Sequence, residues 1–245
     1  MADDLFEHPR LAAVYDLLDP DRSDLDVYAA IVTELGARLV LDVGCGTGTF
    51  ALMLARQGLD VVALDPAGAS LDVARGKPAA DRARWVHGDA TAVPEELHGR
   101  VDLAVMTGNV AQAIVDEQDW ASTLTAVRRC LRPAGDLVFE TRRPERCGWQ
   151  EWTREQSEAV TQAPGYRAIR HWVQLSHVDL PLVTFEAVRV FEDETLISSS
   201  TLRFRSKDEV AATLAACGYD VREVREAPDR PGRELVFLAR RSEGH

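Results

Sequence analysis

Cysteine is scarce in this chain and scattered where it occurs. The four cysteines, Cys45, Cys130, Cys147 and Cys217, lie far apart in 245 residues. With no Cys-x-x-Cys pair and no zinc spacing, they read as reduced thiols of a cytoplasmic protein and not as a disulfide framework. Nor is there a clustered triplet to hold an iron–sulfur centre. No apolar run approaches the roughly 18 residues of a membrane span. The acidic start, Met1-Ala2-Asp3-Asp4, lacks the basic-then-apolar order of a secretion signal. Basic residues are outnumbered: 28 Lys plus Arg face 40 Asp plus Glu, a net charge of −12. Such a surface repels phosphate backbones and anionic lipid, so neither nucleic acid nor a membrane is an expected partner. No acid and histidine cluster stands at ligand spacing, so no metal is expected.

What is present is an ordinary globular balance. Hydrophobic residues make up 46% and charged residues 28%, too apolar for a disordered chain. Short apolar strands at 39–43, 61–65, 84–87, 101–106 and 137–141 alternate with helical stretches at 49–57, 67–75 and 117–131. Strands that are apolar on both faces and separated by helices predict a parallel sheet covered on each side, a doubly wound α/β fold. After residue 141 the pattern changes to alternation. Ile169, His171, Val173, Leu175 and His177 share one phase, further strands follow near 184–191 and 195–204, and Asp193-Glu194 marks a hairpin turn. A helix at 206–217, opened by a Ser206–Glu209 capping box and stopped by Gly218, leads to a closing strand pair at 219–225 and 234–240. The reading therefore divides the chain into an N-terminal helical segment (1–38, with one helix near 24–35), a core (39–141 with 206–245) and an inserted antiparallel unit (142–205).

The chemistry gathers at strand ends. Asp42-Val43-Gly44-Cys45-Gly46-Thr47-Gly48 turns the first strand into the first helix, and glycines there let a ligand approach bare main chain. The dinucleotide pattern Gly-x-Gly-x-x-Gly fails at Thr49, which demotes NAD. Asp65, at the tip of the second strand, can accept both hydroxyls of a ribose. Asp89, beside small Ala90, can accept from an adenine amine. Thr107-Gly108-Asn109 closes the fourth strand, next to the ligand's reactive end. All four segments fall at carboxyl ends of strands, where open α/β sheets bind ligands.

Taken together, Leu41-Asp42-Val43-Gly44-Cys45-Gly46-Thr47-Gly48, Asp65, Gly88-Asp89-Ala90 and Leu131-Arg132-Pro133-Ala134-Gly135-Asp136-Leu137 resemble the class I S-adenosylmethionine-dependent methyltransferases of small-molecule type. The resemblance implies a seven-stranded Rossmann-like sheet in the order 3-2-1-4-5-7-6 with strand 7 antiparallel. It implies S-adenosylmethionine as cofactor. The set that would hold it comprises Tyr15 on an N-terminal lid, Asp42, Gly44, Cys45, Gly46, Gly48, Asp65, Pro66, Asp89, Ala90, Thr107, Gly108 and Asn109. The inserted unit would cover a small-molecule substrate, with methyl transfer to an N or O atom and a monomer or homodimer as the working form. A catalytically silent cofactor-binding protein and an NAD-dependent oxidoreductase are the competing readings.

Methyl transfer is an in-line displacement in which the enzyme contributes alignment and desolvation, plus a base if the acceptor must lose a proton. His171 and His177 are the imidazoles in the presumed cover, as general base or as ordinary strand residues. Trp149 and Trp152 are read either as a substrate wall or as the anchor of the connecting segment. Arg142 and Arg143 stand at the right end for an anionic substrate group, or form a solvated pair. Glu140 can reach the same end. His87 reads as structural and Cys45 as a packing residue. Motifs of nucleic-acid methylation are missing: Thr107-Gly108-Asn109-Val110 replaces Asn-Pro-Pro-aromatic, and no Pro-Cys dipeptide exists.

Overall fold

The computed structural model describes residues 3–162 and 164–243. Eleven strands form two sheets among the described residues. The first holds β1 (Leu39–Val43), β2 (Asp60–Asp65), β3 (Ala83–His87), β4 (Val101–Met106), β5 (Leu131–Arg142), β10 (Tyr219–Glu226) and β11 (Glu234–Arg241). Its order is β3-β2-β1-β4-β5-β11-β10, and only β11 is reversed, antiparallel to both β5 and β10. The second sheet is antiparallel throughout: β6 (Ala159–Thr161), β7 (Ile169–Asp179), β8 (Leu182–Val190) and β9 (Thr195–Arg203). The expected architecture, a doubly wound seven-stranded sheet with an antiparallel cover, is the observed one.

Successive strand residues face opposite layers, and the core follows that rule. Val40, Val61, Leu103 and Val138 pack under α3 (Asp24–Glu34) and α4 (Thr49–Arg56). Leu41, Phe139 and Phe237 pack under the helices Glu117–Cys130 and Lys207–Ala216. Within that second layer Trp120, Phe139 and Phe237 form a column, with ring centroids 5.5 and 5.4 Å apart. Apolar burial on both faces explains why β1, β2 and β4 show almost continuous apolar sequence. The capping box is present: Ser206 Oγ accepts from Glu209 N at 3.3 Å, and Glu209 accepts from Ser206 N at 2.7 Å.

Three local expectations are corrected. The N-terminal segment carries α1 (Asp4–Glu7) and α2 (Pro9–Leu18) besides α3. Asp3 caps α1 by accepting from Leu5 N, and Pro9 supplies the first position of α2, where its missing N–H costs nothing. The strand expected at 137–141 starts earlier, at Leu131, and takes in residues 132–135 as an irregularity, with Ala134 at φ 55°. The shared phase along β7 breaks at a bulge, because Leu175 pairs with Phe185 but His177 pairs with Thr184. His177 is thereby turned to the opposite face from Leu175.

Helix α2 joins the two sheets. Leu11 and Val14 pack against Ile169 and Phe191 of the cover. Arg10 lies 4.0 Å over the Phe191 ring and pairs with Asp193 at 2.6 Å and with Glu194. On the far side of the cover Arg205 is 4% exposed and donates to the carbonyls of Ala111 and Ile114 at 3.0 and 2.9 Å. This fixes where the last cover strand re-enters the core.

Candidate cofactor and substrate site

The glycine turn has Gly44, Gly46 and Gly48 at positive φ. Gly44 N and Cys45 N both donate to Leu64 O, at 2.8 and 3.0 Å, which fold the turn back on the tip of β2. Gly46 N donates to Asp65 Oδ2 at 2.7 Å, and Ala67 N donates to Asp65 Oδ1 at 2.7 Å. A Cβ on Gly48 would fall 2.5 Å from the Trp85 ring, so that glycine is a packing requirement. A Cβ on Gly46 would meet nothing within 4 Å, and the same holds at Gly108. Those two positions leave bare main chain open, Gly46 in the turn and Gly108 after β4.

The acids around the turn differ in burial and in pairing. Asp42 is 1% exposed and neither carboxylate oxygen has a hydrogen-bond partner among the described residues. Burial, with the Asp65 charge adding to it, pushes the Asp42 carboxyl up to about 7. Burial also raises Asp65, while the two amide donors and His87 pull it back. The Cys45 thiol is pushed well up by burial and by Asp42 and Asp65, which makes it a poor nucleophile. His87 Nε2 bonds Pro66 O at 3.1 Å, holding the loop after β2. Asp89 is exposed; its Oδ1 takes Thr91 N and Thr91 Oγ1 at 2.8 and 2.5 Å. Ala90 beside it is buried.

The lid helix α2 closes on this turn. Asp16 accepts from Thr47 Oγ1 at 2.7 Å and pairs with Lys77 Nζ at 2.5 Å. Tyr15, half-buried, tilts against Phe6 at 5.5 Å.

At the ends of β4 and β5 lies a second polar group. Asn109, in the left-handed region at φ 62°, donates from its main-chain N to Glu140 Oε1 at 2.5 Å and from Nδ2 to Glu234 Oε1 at 3.4 Å. Its own Oδ1 and Glu140 Oε2 have no partner among the described residues. Glu140 is raised to about 7 by burial, against the Asn109 amide and the Tyr28 hydroxyl, which pull it down. Arg142, cross-strand from Glu234, pairs with it at 3.4 Å and donates to Gln112 at 3.1 Å.

These unpartnered acceptors suit a ligand that brings N–H groups and positive charge. Residues 40–135 match the family model described as a methyltransferase domain. The chain belongs to the class I S-adenosylmethionine-dependent methyltransferases. Glycine/sarcosine N-methyltransferase of Halorhodospira halochloris is 30% identical over 132 residues, 52% of this chain and 49% of that protein. Malonyl-(acyl-carrier protein) O-methyltransferase of Serratia marcescens is 30% identical over 186 residues, 70% and 66% of the two chains. This methyltransferase therefore spans about half to two thirds of the length of these curated relatives. The crystal structure of an S-adenosylmethionine-dependent methyltransferase from Clostridium acetobutylicum superposes with a TM-score of 0.74 at 15% identity. It covers 96% of this chain and 99% of that one, a likeness of fold.

The cover presents its inner face to the methyltransferase core. Register puts His171 opposite Arg189 and Leu175 opposite Phe185 on that face. His171 Nε2 lies 3.0 Å from Thr161 Oγ1, and burial together with Arg189 lowers its pKa. His177 is exposed. Trp149, 4% exposed, packs edge-to-face on Phe204 at 4.6 Å, as an anchor of the connecting segment does. Trp152 is half-buried, tilted 5.0 Å from Phe185. Arg143 is committed to Glu226 at 2.7 Å.

Sequence reasoning passed over Tyr28, Gln112, Arg189 and Glu234. Glu234 could have been found, because it opens an otherwise apolar strand opposite Arg142. Arg189 sits between two valines with no carboxylate partner among the described residues. Its donors reach only the carbonyls of Trp172 and Val188, at 3.3 and 3.0 Å.

Proposed function

We propose that this methyltransferase moves the methyl group of S-adenosylmethionine to a nitrogen or oxygen of a small metabolite bound between the glycine turn and the inner face of the cover. The observation that carries the reading is the row of buried oxygens without a partner among the described residues, both of Asp42, Oδ1 of Asn109 and Oε2 of Glu140, along one edge of the sheet. The cofactor supplies an electrophilic methyl on a positive sulfonium. Main chain at Gly46 and Gly108 gives it room, Asp65 takes the ribose hydroxyls, and Asp89 with Ala90 receives the adenine. Asp42, through its unpartnered oxygens, balances the ligand's ammonium. Helix α2 seals the turn against water through Asp16, which sharpens every charge interaction beneath it.

Acceptor activation falls to His171 in this reading. Its lowered pKa keeps the imidazole neutral near pH 7, as a base requires. Glu140 acts by orienting the Asn109 loop. The net charge of −12 argues against nucleic acid, and no described helix is long and apolar enough to cross a membrane. The proposal places the enzyme in the cytoplasm as a monomer or homodimer. Calorimetry with S-adenosylhomocysteine tests the cofactor half. Label transfer from methyl-labelled S-adenosylmethionine across a panel of amines, phenols and hydroxy acids tests the chemistry. Cofactor binding without transfer to any of them would favour the silent binding protein.

A further inference from the structure

A cavity of about 420 Å³ opens at the carboxyl end of β5, beside the site and outside the cofactor cradle. Five guanidinium groups line it: Arg142 from β5, Arg143 and Arg146 from the segment after it, and Arg230 and Arg233 from the β10–β11 loop. Glu151 and Glu234 are the acids in its lining, and Trp152 gives it one flat wall. In a chain of net charge −12 this is a local reversal of sign.

The internal pairing does not exhaust these donors. One carboxylate, Glu234, serves both Arg142 at 3.4 Å and Arg230 at 2.9 Å, and Arg230 also reaches Asp229 at 3.5 Å. Arg146 donates from Nε to a main-chain carbonyl, Gly232 O, at 2.7 Å, and forms no ion pair among the described residues. Arg143 Nε is buried with no partner among the described residues. Burial lowers Arg142, so an added anion would restore what desolvation takes. Guanidinium forks match the oxygens of phosphate and carboxylate in geometry as well as charge. The volume suits a charged group with a few atoms of scaffold. Through Glu234 the cavity wall is also tied to Asn109, at 3.4 Å, and so to the reactive end of the site.

We propose that this cavity anchors an oxyanion of the methyl acceptor, a phosphate or a carboxylate, in the forks of Arg142, Arg146 and Arg230. The inference rests on the methyltransferase reading and narrows it to acidic acceptors. One end of the substrate is then fixed by charge, and the rest extends past Asn109 toward the cover.

The test is calorimetry on the full chain saturated with S-adenosylhomocysteine, titrated with sodium phosphate and with sodium acetate at constant ionic strength. Saturable millimolar binding of either anion is expected, and which one binds identifies the group. The Arg146→Ala/Arg230→Ala double variant should bind it about tenfold more weakly. Glu151→Gln, which frees Arg233, should bind it about threefold more tightly, a gain that misfolding cannot imitate. Affinity for S-adenosylhomocysteine should be unchanged in both. No saturable binding of either anion, an unaltered affinity in the double variant, or no gain in Glu151→Gln would overturn the inference. Failure of the wild type to bind S-adenosylhomocysteine would instead strike the functional reading on which it rests.

Discussion

Gly46→Ala separates a glycine kept for a ligand from one kept for the fold. Gly46 lies at φ 52°, and its missing Cβ faces space with no protein atom within 4 Å. An alanine there meets only the left-handed backbone penalty, about 1–2 kcal/mol. For a chain of this length that lowers the melting temperature by about 2–8 °C. The methyl group nevertheless projects where the cofactor's methionine end is to lie, so affinity for S-adenosylhomocysteine should fall at least about tenfold, or about 1.4 kcal/mol. Gly48→Ala is the control. Its Cβ would sit 2.5 Å from Trp85 and 2.9 Å from Ala74 Cβ. Overpacking then adds about 1–3 kcal/mol to the same backbone penalty. Thermal unfolding and calorimetry on both variants give the answer. The reasoning fails if Gly46→Ala binds with wild-type affinity, or if it melts as low as Gly48→Ala.

Asp65→Ala should weaken S-adenosylhomocysteine binding by about 2–4 kcal/mol, since the ribose loses charge-assisted bonds and Gly46 N loses its acceptor. An unchanged dissociation constant would remove the ribose assignment. Asp42 and Glu140 both titrate near 7 in the folded chain, above their ordinary carboxyl values. Between those values the folded state holds more protons than the unfolded one. The contribution of these two carboxyls to the stability of the cofactor-free protein should therefore be most favourable below pH of about 4, fall as pH rises toward about 7, and level off above it. The cofactor's ammonium should ionise Asp42, so binding at neutral pH should release a proton and show a buffer-dependent enthalpy that vanishes at high pH. Equal enthalpies in two buffers at neutral pH would refute the pairing. His171→Gln should lower turnover by about a hundredfold or more while leaving cofactor affinity intact. His177→Gln should change neither; a slow His177→Gln enzyme would return that residue to the site.

Much of the core was legible because its signals are local. Apolar strands such as 39–43 and 101–106 face two layers of helix, and the glycine turn requires residues that tolerate positive φ. The capping box at Ser206 declared its own geometry. The harder features depend on distant partners. Alternation along β7 suggests that His171 and His177 share a face, but one extra residue at Ser176 reverses the second. No periodicity reveals such a bulge, because it is set by pairing with β8. Glu140 and Glu234 are neighbours only because β11 runs antiparallel beside β5, bringing positions 94 residues apart together. The pair Trp149 and Trp152 looks symmetrical in sequence. Packing against Phe204 buries one and leaves the other half-covered at the mouth of the arginine cavity.

Helix α2 carries a kinetic consequence. It is bolted at Asp16 to the glycine turn and to Lys77, and at Arg10 to the cover, so both share one hinge-pin. On the proposed placement of cofactor and acceptor, demethylated product has no private door: lifting the pin should unroof the acceptor as well. The Arg10 bolt is solvent-facing and sensitive to added salt. Rising ionic strength should hasten exchange at both ends together, and turnover limited by this shared opening should quicken with it.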